Sequence, residues 1–115
     1  MSKISNHIDY IEFPASSTEE LEKAKSFFNT VFGWSHTMYG NDYADTADSG
    51  VFSGINAESP TTTTLVVIYV ADLQKVYDDV KAAGGIITKE IFAFPGGRRF
   101  QFQDPTGNNL AAWSE

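Results

Sequence analysis

Two side chains in this sequence occur in patterns suited to acid–base catalysis or ligand binding, and Glu12 is the first. It alternates with Tyr10 along the segment Ile8–Phe13, so a strand would place both side chains on one face. In a cavity, burial would raise the pKa of such a carboxyl and suit it to act as a general base. The alternative is a glutamate at a cavity rim or paired with an arginine, and structural pairs of this kind are common.

Arg99 is the second such residue, because it follows the glycines of the segment Pro95–Arg99. Glycines let backbone amides approach a ligand, and an arginine fork matches a carboxylate or phosphate. Strand alternation puts only one of Arg98 and Arg99 on a cavity face, and Arg99 shares its phase with Gln101. The alternative is a tight loop whose arginines offset nearby acids.

Metal ligation has weak support in the sequence. The only histidines are His7 and His36, and no histidine-rich spacing accompanies either. Asp42, Asp45 and Asp48 recur every third residue rather than in the alternating pattern of a calcium loop. They favour a solvated acidic turn.

Composition predicts one compact domain and excludes several classes of protein. The chain has 115 residues, of which 42% are hydrophobic and 14% aromatic, enough for a core. Its net charge of −7 argues against nucleic acid and anionic membranes as partners. It has no cysteine, Ser53 lacks a nucleophile-elbow motif, and no apolar run approaches the ~20 residues of a membrane span. The amino terminus lacks a signal-peptide core, so we expect a cytoplasmic protein.

The elements that would position these residues follow one order twice. A strand over Ile8–Phe13 precedes a helix whose first turn has the capping-box pair Ser17 and Glu20 and whose exit is Gly33. Its apolar stripe, predicted to face a sheet, comprises Leu21, Ala24, Phe27, Phe28, Val31 and Phe32. Three short strands are predicted between Trp34 and Asn56.

The second copy begins with a buried strand over Leu65–Val70. Asp72 would cap a helix that closes at Gly84 and Gly85. Three more strands follow at Ile86–Glu90, Arg99–Gln103 and Asn108–Trp113, separated by turns at Pro95–Gly97 and Asp104–Gly107. We therefore predict an α+β domain over residues 1–115, with βαβββ modules at about 6–57 and 61–115 that pair through their sheets.

Several segments together resemble a known family. They are Ile-Glu-Phe-Pro-Ala, Ala-Lys-Ser-Phe-Phe-Asn-Thr-Val-Phe-Gly-Trp, Tyr-Val-Ala-Asp-Leu, Ala-Ala-Gly-Gly and Phe-Gln-Asp-Pro-Thr-Gly-Asn. From about Ile8 to Trp113 the chain resembles the vicinal oxygen chelate superfamily, which includes glyoxalase I, bleomycin- and fosfomycin-resistance proteins and extradiol dioxygenases. The resemblance implies two βαβββ modules whose mixed sheet curls around an open cavity.

The resemblance also implies a divalent metal held by His, Gln or Glu at equivalent strand positions. Matched by motif, those positions fall on Tyr10, Leu65 and Ala111, with a fourth near Ser53 and Gly54. None of these side chains is a usual ligand. We therefore expect no metal and no other cofactor.

We expect a glyoxalase-like protein that binds a small, partly polar or aromatic molecule in the cavity between the modules. The predicted lining is Tyr10, Glu12, Val67, Tyr69, Arg99, Gln101 and Trp113. One alternative is an enzyme of the family, such as a lactoylglutathione-lyase-type lyase, an isomerase or a dioxygenase, that recruits His7 or His36 or uses Glu12 as base. Another is an interaction module with a closed cavity. Since many family members pair modules between chains, the resemblance implies a homodimer.

Overall fold

The computed structural model describes residues 3–115. These residues form two compact units. We call residues 10–65 the first unit, and residues 3–9 together with residues 66–115 the second unit. Each unit combines strands with one helix, so the predicted α+β class is confirmed.

The first unit holds four neighbouring strands and helix α1 (Thr18–Phe32). Its strands are β1 (His7–Pro14), β2 (Thr37–Tyr39), β3 (Tyr43–Thr46) and β4 (Phe52–Asn56), of which β1 begins in the second unit. Their order is β2–β3–β4–β1, with β1 parallel to β4 and the other neighbours antiparallel. The predicted meander after the helix is confirmed.

The second unit repeats this arrangement around helix α2 (Leu73–Ala82). Its strands are β5 (Leu65–Tyr69), β6 (Ile86–Phe94), β7 (Gly97–Gln103) and β8 (Asn109–Ser114). Their order is β5–β8–β7–β6, with β5 parallel to β8 and the others antiparallel. The strand–helix–three-strand repeat predicted from the sequence is therefore present in both units.

The ends of α1 follow the predicted capping signals, with one correction. The Ser17 hydroxyl accepts a hydrogen bond from the Glu20 backbone N–H, and Gly33 ends the helix with a φ of 76°. The Glu20 carboxylate does not complete the reciprocal bond of a capping box; one of its oxygens contacts the Lys23 ammonium at 3.0 Å.

The apolar stripe of α1 is wider than the face that the helix buries. Leu21 is fully buried, and Ala24 and Phe28 pack against the same core with Ile55 and Ala44 of the sheet. The prediction that the whole stripe faces the sheet is wrong for the exposed residues Phe27, Val31 and Phe32, which are 57%, 53% and 59% exposed. Of this stripe, only Leu21, Ala24 and Phe28 pack in the core that α1 shares with the sheet.

Helix α2 is capped by Asp72, whose carboxylate accepts from the Lys75 backbone N–H at 3.1 Å. Its apolar face packs on Phe100 and Ala112 of the sheet. Strand β6 runs four residues beyond the predicted end at Glu90. As a result, the predicted Pro95–Gly97 loop is a tight hairpin between β6 and β7.

In each unit the helix covers one face of the sheet and leaves the other without a helix. Phe13 of β1 packs on Phe28 of α1, with ring centroids 5.4 Å apart, so Tyr10 and Glu12 point to the opposite face. Phe100 of β7 packs toward α2, so Arg99 lies on the face away from α2. Of the described residues, none forms a helix long and apolar enough to cross a membrane.

Candidate functional site

A hydrogen-bonded chain of polar side chains lies on the first unit's sheet face away from α1. Tyr43 donates from its hydroxyl to Glu12 Oε2 at 2.9 Å, and the Tyr10 and Tyr43 hydroxyl oxygens are 2.6 Å apart. Asn56 donates from Nδ2 to Glu12 Oε1 at 3.2 Å. Glu12, only 3% exposed, thus accepts hydrogen bonds on both oxygens.

The loop after β4 holds Asn56 in this position. The Asn56 side-chain oxygen accepts from the backbone N–H groups of Glu58 and Ser59, at 3.0 and 3.1 Å. Its Nδ2 also donates to the Ser59 carbonyl oxygen. The amide that contacts Glu12 is therefore fixed in orientation.

Gly54 provides the space in which the two tyrosine hydroxyls meet. A methyl group at this position would overlap the Tyr10 hydroxyl and lie 2.5 Å from the Tyr43 hydroxyl. Gly54 is also the strand partner of Glu12. Only glycine can occupy this position without displacing the hydrogen-bonded pair.

The proton positions in this chain follow from its chemistry. Burial raises the pKa of Tyr43 far above its usual value, and the adjacent charge of Glu12 raises it further. Tyr43 therefore stays protonated, and its one hydroxyl hydrogen is used in the hydrogen bond to Glu12. The short bond between the hydroxyls must then be donated by Tyr10.

The second unit carries an aromatic and cationic face of its own. Arg99 and Trp113 are direct partners across β7 and β8, and Arg99 is also the partner of Phe92 on β6. The Arg99 guanidinium lies 5.4 Å from the centroid of the Phe92 ring, within cation–π range. The Trp113 ring contacts Phe94 and Tyr69, with centroids at 6.0 and 5.2 Å.

Asp9 fixes the orientation of the Trp113 indole. The indole N–H donates to Asp9 Oδ1 at 3.0 Å, while the Lys3 ammonium lies 5.1 Å from the ring centroid. Because the N–H is engaged, the indole offers a π face rather than a donor. The Tyr69 hydroxyl donates to the Glu115 carboxylate. Partial removal of this hydroxyl from water raises the pKa of Tyr69, and the nearby Glu115 carboxylate raises it further.

Within each unit, the predicted ligand residues share the face that alternation assigned to them. Gln101 is buried beside Arg99 on β7, and its partner on β8 is Ala111. Arg98 is exposed and alternates to the other face. A methyl group at Gly97 would clash with the Ser114 carbonyl oxygen, so this glycine serves the close approach of two strands.

The histidines and the acidic series are dispersed. His7 is exposed at the start of β1, and His36 stacks on Phe28 with ring centroids 6.2 Å apart. Asp48 accepts from the Ser35 backbone N–H at 2.9 Å, and Asp45 lies within β3 rather than in the predicted polar loop. Residues 3–115 contain no group of three His, Cys, Asp or Glu side chains that could hold a metal ion.

The turn at Asp104 is structural. The Asp104 carboxylate accepts hydrogen bonds from the side chain and backbone of Asn108 and from Thr106. These bonds, those of Asn108 first, lower the pKa of Asp104 to about 2. The carboxylate holds the turn between β7 and β8 as an acceptor.

Comparison with known proteins identifies the family. The sequence profile of the Glyoxalase/Bleomycin resistance protein/Dioxygenase superfamily matches residues 7–112. The chain belongs to this superfamily. A sequence search of curated proteins found no match.

Solved structures with this fold have varied activities. The NAD-dependent benzaldehyde dehydrogenase from Legionella pneumophila superposes with a TM-score of 0.71 at 13% identity, covering 91% of this chain and 96% of its own. The Mn(II)-bound glyoxalase from Novosphingobium aromaticivorans gives 0.67 at 19% identity over 99% of this chain, which spans only 40% of that protein. Methylmalonyl-CoA epimerase from Mycobacterium tuberculosis gives 0.63 at 13% identity, covering 99% and 92%. At these identities the similarity shows the glyoxalase-type fold and no particular reaction.

The donor set at the superfamily's implied metal positions does not suit a divalent metal. The Tyr10 hydroxyl is hydrogen-bonded to Tyr43, and the space at Gly54 is filled by these two hydroxyls. Leu65 and Ala111 are buried hydrocarbon side chains. Protein ligands for such ions are imidazole, carboxylate or carbonyl groups, so no step here is derived through a metal.

Sequence reasoning missed three members of the hydrogen-bonded chain, namely Tyr43, Gly54 and Asn56. From the sequence, Gly54 is placed near the fourth implied metal position and Tyr43 within the three short strands between Trp34 and Asn56, with no role in ligand binding for either. A period-2 reading of β3 and β4 would have placed these side chains on the face of Glu12 once the register was known. The register itself depends on pairing between distant segments, which one sequence does not specify.

Proposed function

We propose that this superfamily member binds small planar organic acids on the second unit's sheet face away from α2, without a divalent metal. The observation that carries the proposal is the cross-strand pair of Arg99 and Trp113, flanked by Phe92 and Tyr69. A guanidinium fork matches a carboxylate, and an oriented indole face suits a flat ring. We expect Arg99 to bind the carboxylate and Trp113 to contact the ring of the same molecule.

The charge distribution supports an acidic ligand for this face. Six of the eight basic residues of the chain lie in the second unit, among them Lys3 and Arg99. The first unit holds eight acidic residues and two basic ones. An anion is therefore repelled less at the second unit than at the first.

The test is a calorimetric titration of benzoate into the full chain and two variants. We expect Arg99→Gln to weaken benzoate binding ten-fold or more, because a charge-assisted hydrogen bond is lost. Arg98→Gln is the matched control, since it removes the same charge one residue away on the opposite face. Equal losses in both variants, or none in Arg99→Gln, would remove Arg99 from the site.

The second candidate function is a lyase of glyoxalase type that uses Glu12 as a general base. The observation that favours it is a buried carboxylate connected to Tyr10 through Tyr43. Since both Glu12 oxygens already accept hydrogen bonds, a substrate proton would travel through the two hydroxyls. In an assay with the methylglyoxal–glutathione adduct, Glu12→Gln should abolish turnover in folded protein. Full residual turnover would end this proposal.

A further inference from the structure

Three aromatic side chains of the second unit, Trp113, Tyr69 and Phe94, form what we call the ring cluster. The Tyr69 ring contacts the indole edge-on, with centroids 5.2 Å apart and an interplanar angle of 71°. The Phe94 ring lies 6.0 Å from the indole at 59°. All three side chains are half-buried, so part of each ring stays open to solvent. Several aromatic faces close together are the arrangement with which proteins recognise methylated ammonium groups.

An ammonium group of the chain itself already contacts the ring cluster. The Lys3 ammonium lies 5.1 Å from the centroid of the Trp113 ring, within cation–π range. The backbone after Lys3 is tied to the same unit, because the Asn6 N–H donates to the Tyr69 carbonyl oxygen at 2.7 Å. This tie gives the ammonium a high effective concentration at the rings. Lys3 therefore acts as an intramolecular occupant of the cluster.

Two carboxylates add negative charge beside the rings. Both oxygens of Asp9 accept from the Trp113 indole N–H, at 3.0 and 3.3 Å. The Tyr69 hydroxyl donates to Glu115 at 3.3 Å. Besides partial removal from water, the charges of Glu115 and Asp9 raise the pKa of Tyr69, so both carboxylates act on the cluster. A negative charge at the N–H edge makes the indole face more attractive to a cation.

The hydrogen bonds of the cluster select the kind of cation. The indole N–H and the Tyr69 hydroxyl are engaged with carboxylates, and the rings attract a cation through their π faces. A primary ammonium that leaves water for such a place gives up hydrogen bonds that π faces do not replace. A quaternary nitrogen has no N–H group to satisfy, so it loses less on entering.

We propose that the ring cluster is a cation site, which Lys3 occupies from within the chain. Its exogenous ligands are quaternary ammonium or alkylpyridinium groups, which take the place of the Lys3 ammonium over Trp113. The planar acids of the proposed function are then those whose ring carries a positive charge. Only this last point rests on the proposed function.

Calorimetric titration of the full chain with two probes of the same shape tests the cation site. Choline has a quaternary ammonium group, whereas 3,3-dimethylbutan-1-ol has a neutral carbon in its place. We expect choline to bind about five-fold more tightly than the alcohol. In Trp34→Phe, which leaves Trp113 as the only tryptophan, choline should change the intrinsic fluorescence. Equal affinities, or unchanged fluorescence, would overturn the proposal.

Lys3→Gln tests the intramolecular occupant. The variant removes the competing ammonium, so choline should bind about three-fold more tightly than to the wild type. Lys81→Gln is the matched control, because the Lys81 ammonium lies 5.6 Å from the centroid of the Tyr77 ring elsewhere in the same unit. Unchanged choline affinity in Lys3→Gln, or an equal gain in both variants, would overturn the assignment of Lys3.

Asp9→Asn tests the charge beside the indole and keeps an oxygen that can accept from the indole N–H. Choline should bind about three-fold more weakly to this variant, and the binding of the alcohol should not change. Asp78→Asn is the matched control, since it removes the same charge from α2 in the same unit. Equal losses in both variants, or none in Asp9→Asn, would overturn the role of Asp9.

A second pair of probes separates this inference from the proposed function. 1-Methylpyridinium-3-carboxylate and 3-methylbenzoate have the same shape, and only the first has a charged ring. We expect the first to bind about five-fold more tightly. Equal affinities would overturn the inference about the ring and leave acid binding in place. Choline binding without binding of either acid would overturn the proposed function and leave the cation site in place.

Discussion

Tyr43 donates a hydrogen bond of 2.9 Å to Glu12, and this bond joins residues that lie 31 positions apart in the chain. It gives β3 a polar connection to β1, although β4 lies between the two strands. The connection passes over Gly54, the one residue in that row without a side chain. The first unit is thus held together on this face by polar contacts, and on the opposite face by the packing of α1.

Gly54→Ala should destabilise the protein by about 2 kcal/mol, because the added methyl group overpacks the site and separates the two hydroxyls. Urea unfolding of the wild type and the variant measures the difference. In the triple variant that adds Tyr10→Phe and Tyr43→Phe, the clashing hydroxyls are absent. The methyl group should then cost less than it does in the wild type, and an equal cost would show that the hydroxyls are not the source of the clash.

The two tryptophans should respond differently to an acidic ligand. Trp113 lies on the proposed acid-binding face, whereas Trp34 packs with Phe28 and Phe32 in the first unit. Benzoate should therefore change the intrinsic fluorescence of the protein through Trp113. We expect the change to persist in Trp34→Phe and to vanish in Trp113→Phe, and the opposite pattern would place the ligand elsewhere.

His36 should make the free energy of unfolding fall as the pH drops below about 6.5, the usual pKa of histidine. Burial lowers the pKa of His36, and the nearby Lys25 lowers it further against the opposing effects of Asp45 and Asp48. Its buried Nδ1 has no hydrogen-bond partner among residues 3–115. The unfolded chain then binds a proton before the folded chain does, so stability is complete above the unfolded pKa and is lost below it.

Urea unfolding at pH 7.5 and pH 5.5 measures this dependence. The wild type should lose stability between the two values, and His36→Asn should lose less. An NMR titration of the imidazole gives the folded pKa independently. A folded pKa at or above the usual value would contradict the expected direction.

Much of the fold was predictable because its signals are local. Ser17, Gly33 and Asp72 mark helix ends through contacts within a few residues, and the repeated order of elements follows from periodicity and turn residues. The extent of burial on α1 was not predictable in this way. Phe27 and Phe28 have the same side chain, but only Phe28 packs against the core, because successive helix residues point in different directions.

In the candidate site, too, relations within one strand were predictable and contacts between strands were not. Alternation placed Tyr10 with Glu12, and Arg99 with Gln101, because partners on one strand need no knowledge of pairing. Contacts between strands, such as Tyr43 to Glu12 or Arg99 to Trp113, depend on register between distant segments. The homodimer, the cytoplasmic location and the cavity between the modules stay predictions.

The most direct test of the account is benzoate binding to protein treated with chelator and dialysed, compared with protein offered nickel, zinc, manganese or iron. Elemental analysis of both samples gives the metal content. We predict the same benzoate affinity in all samples and far less than one tightly bound metal ion per chain. Stoichiometric metal, with benzoate binding only to the loaded protein, would contradict the account.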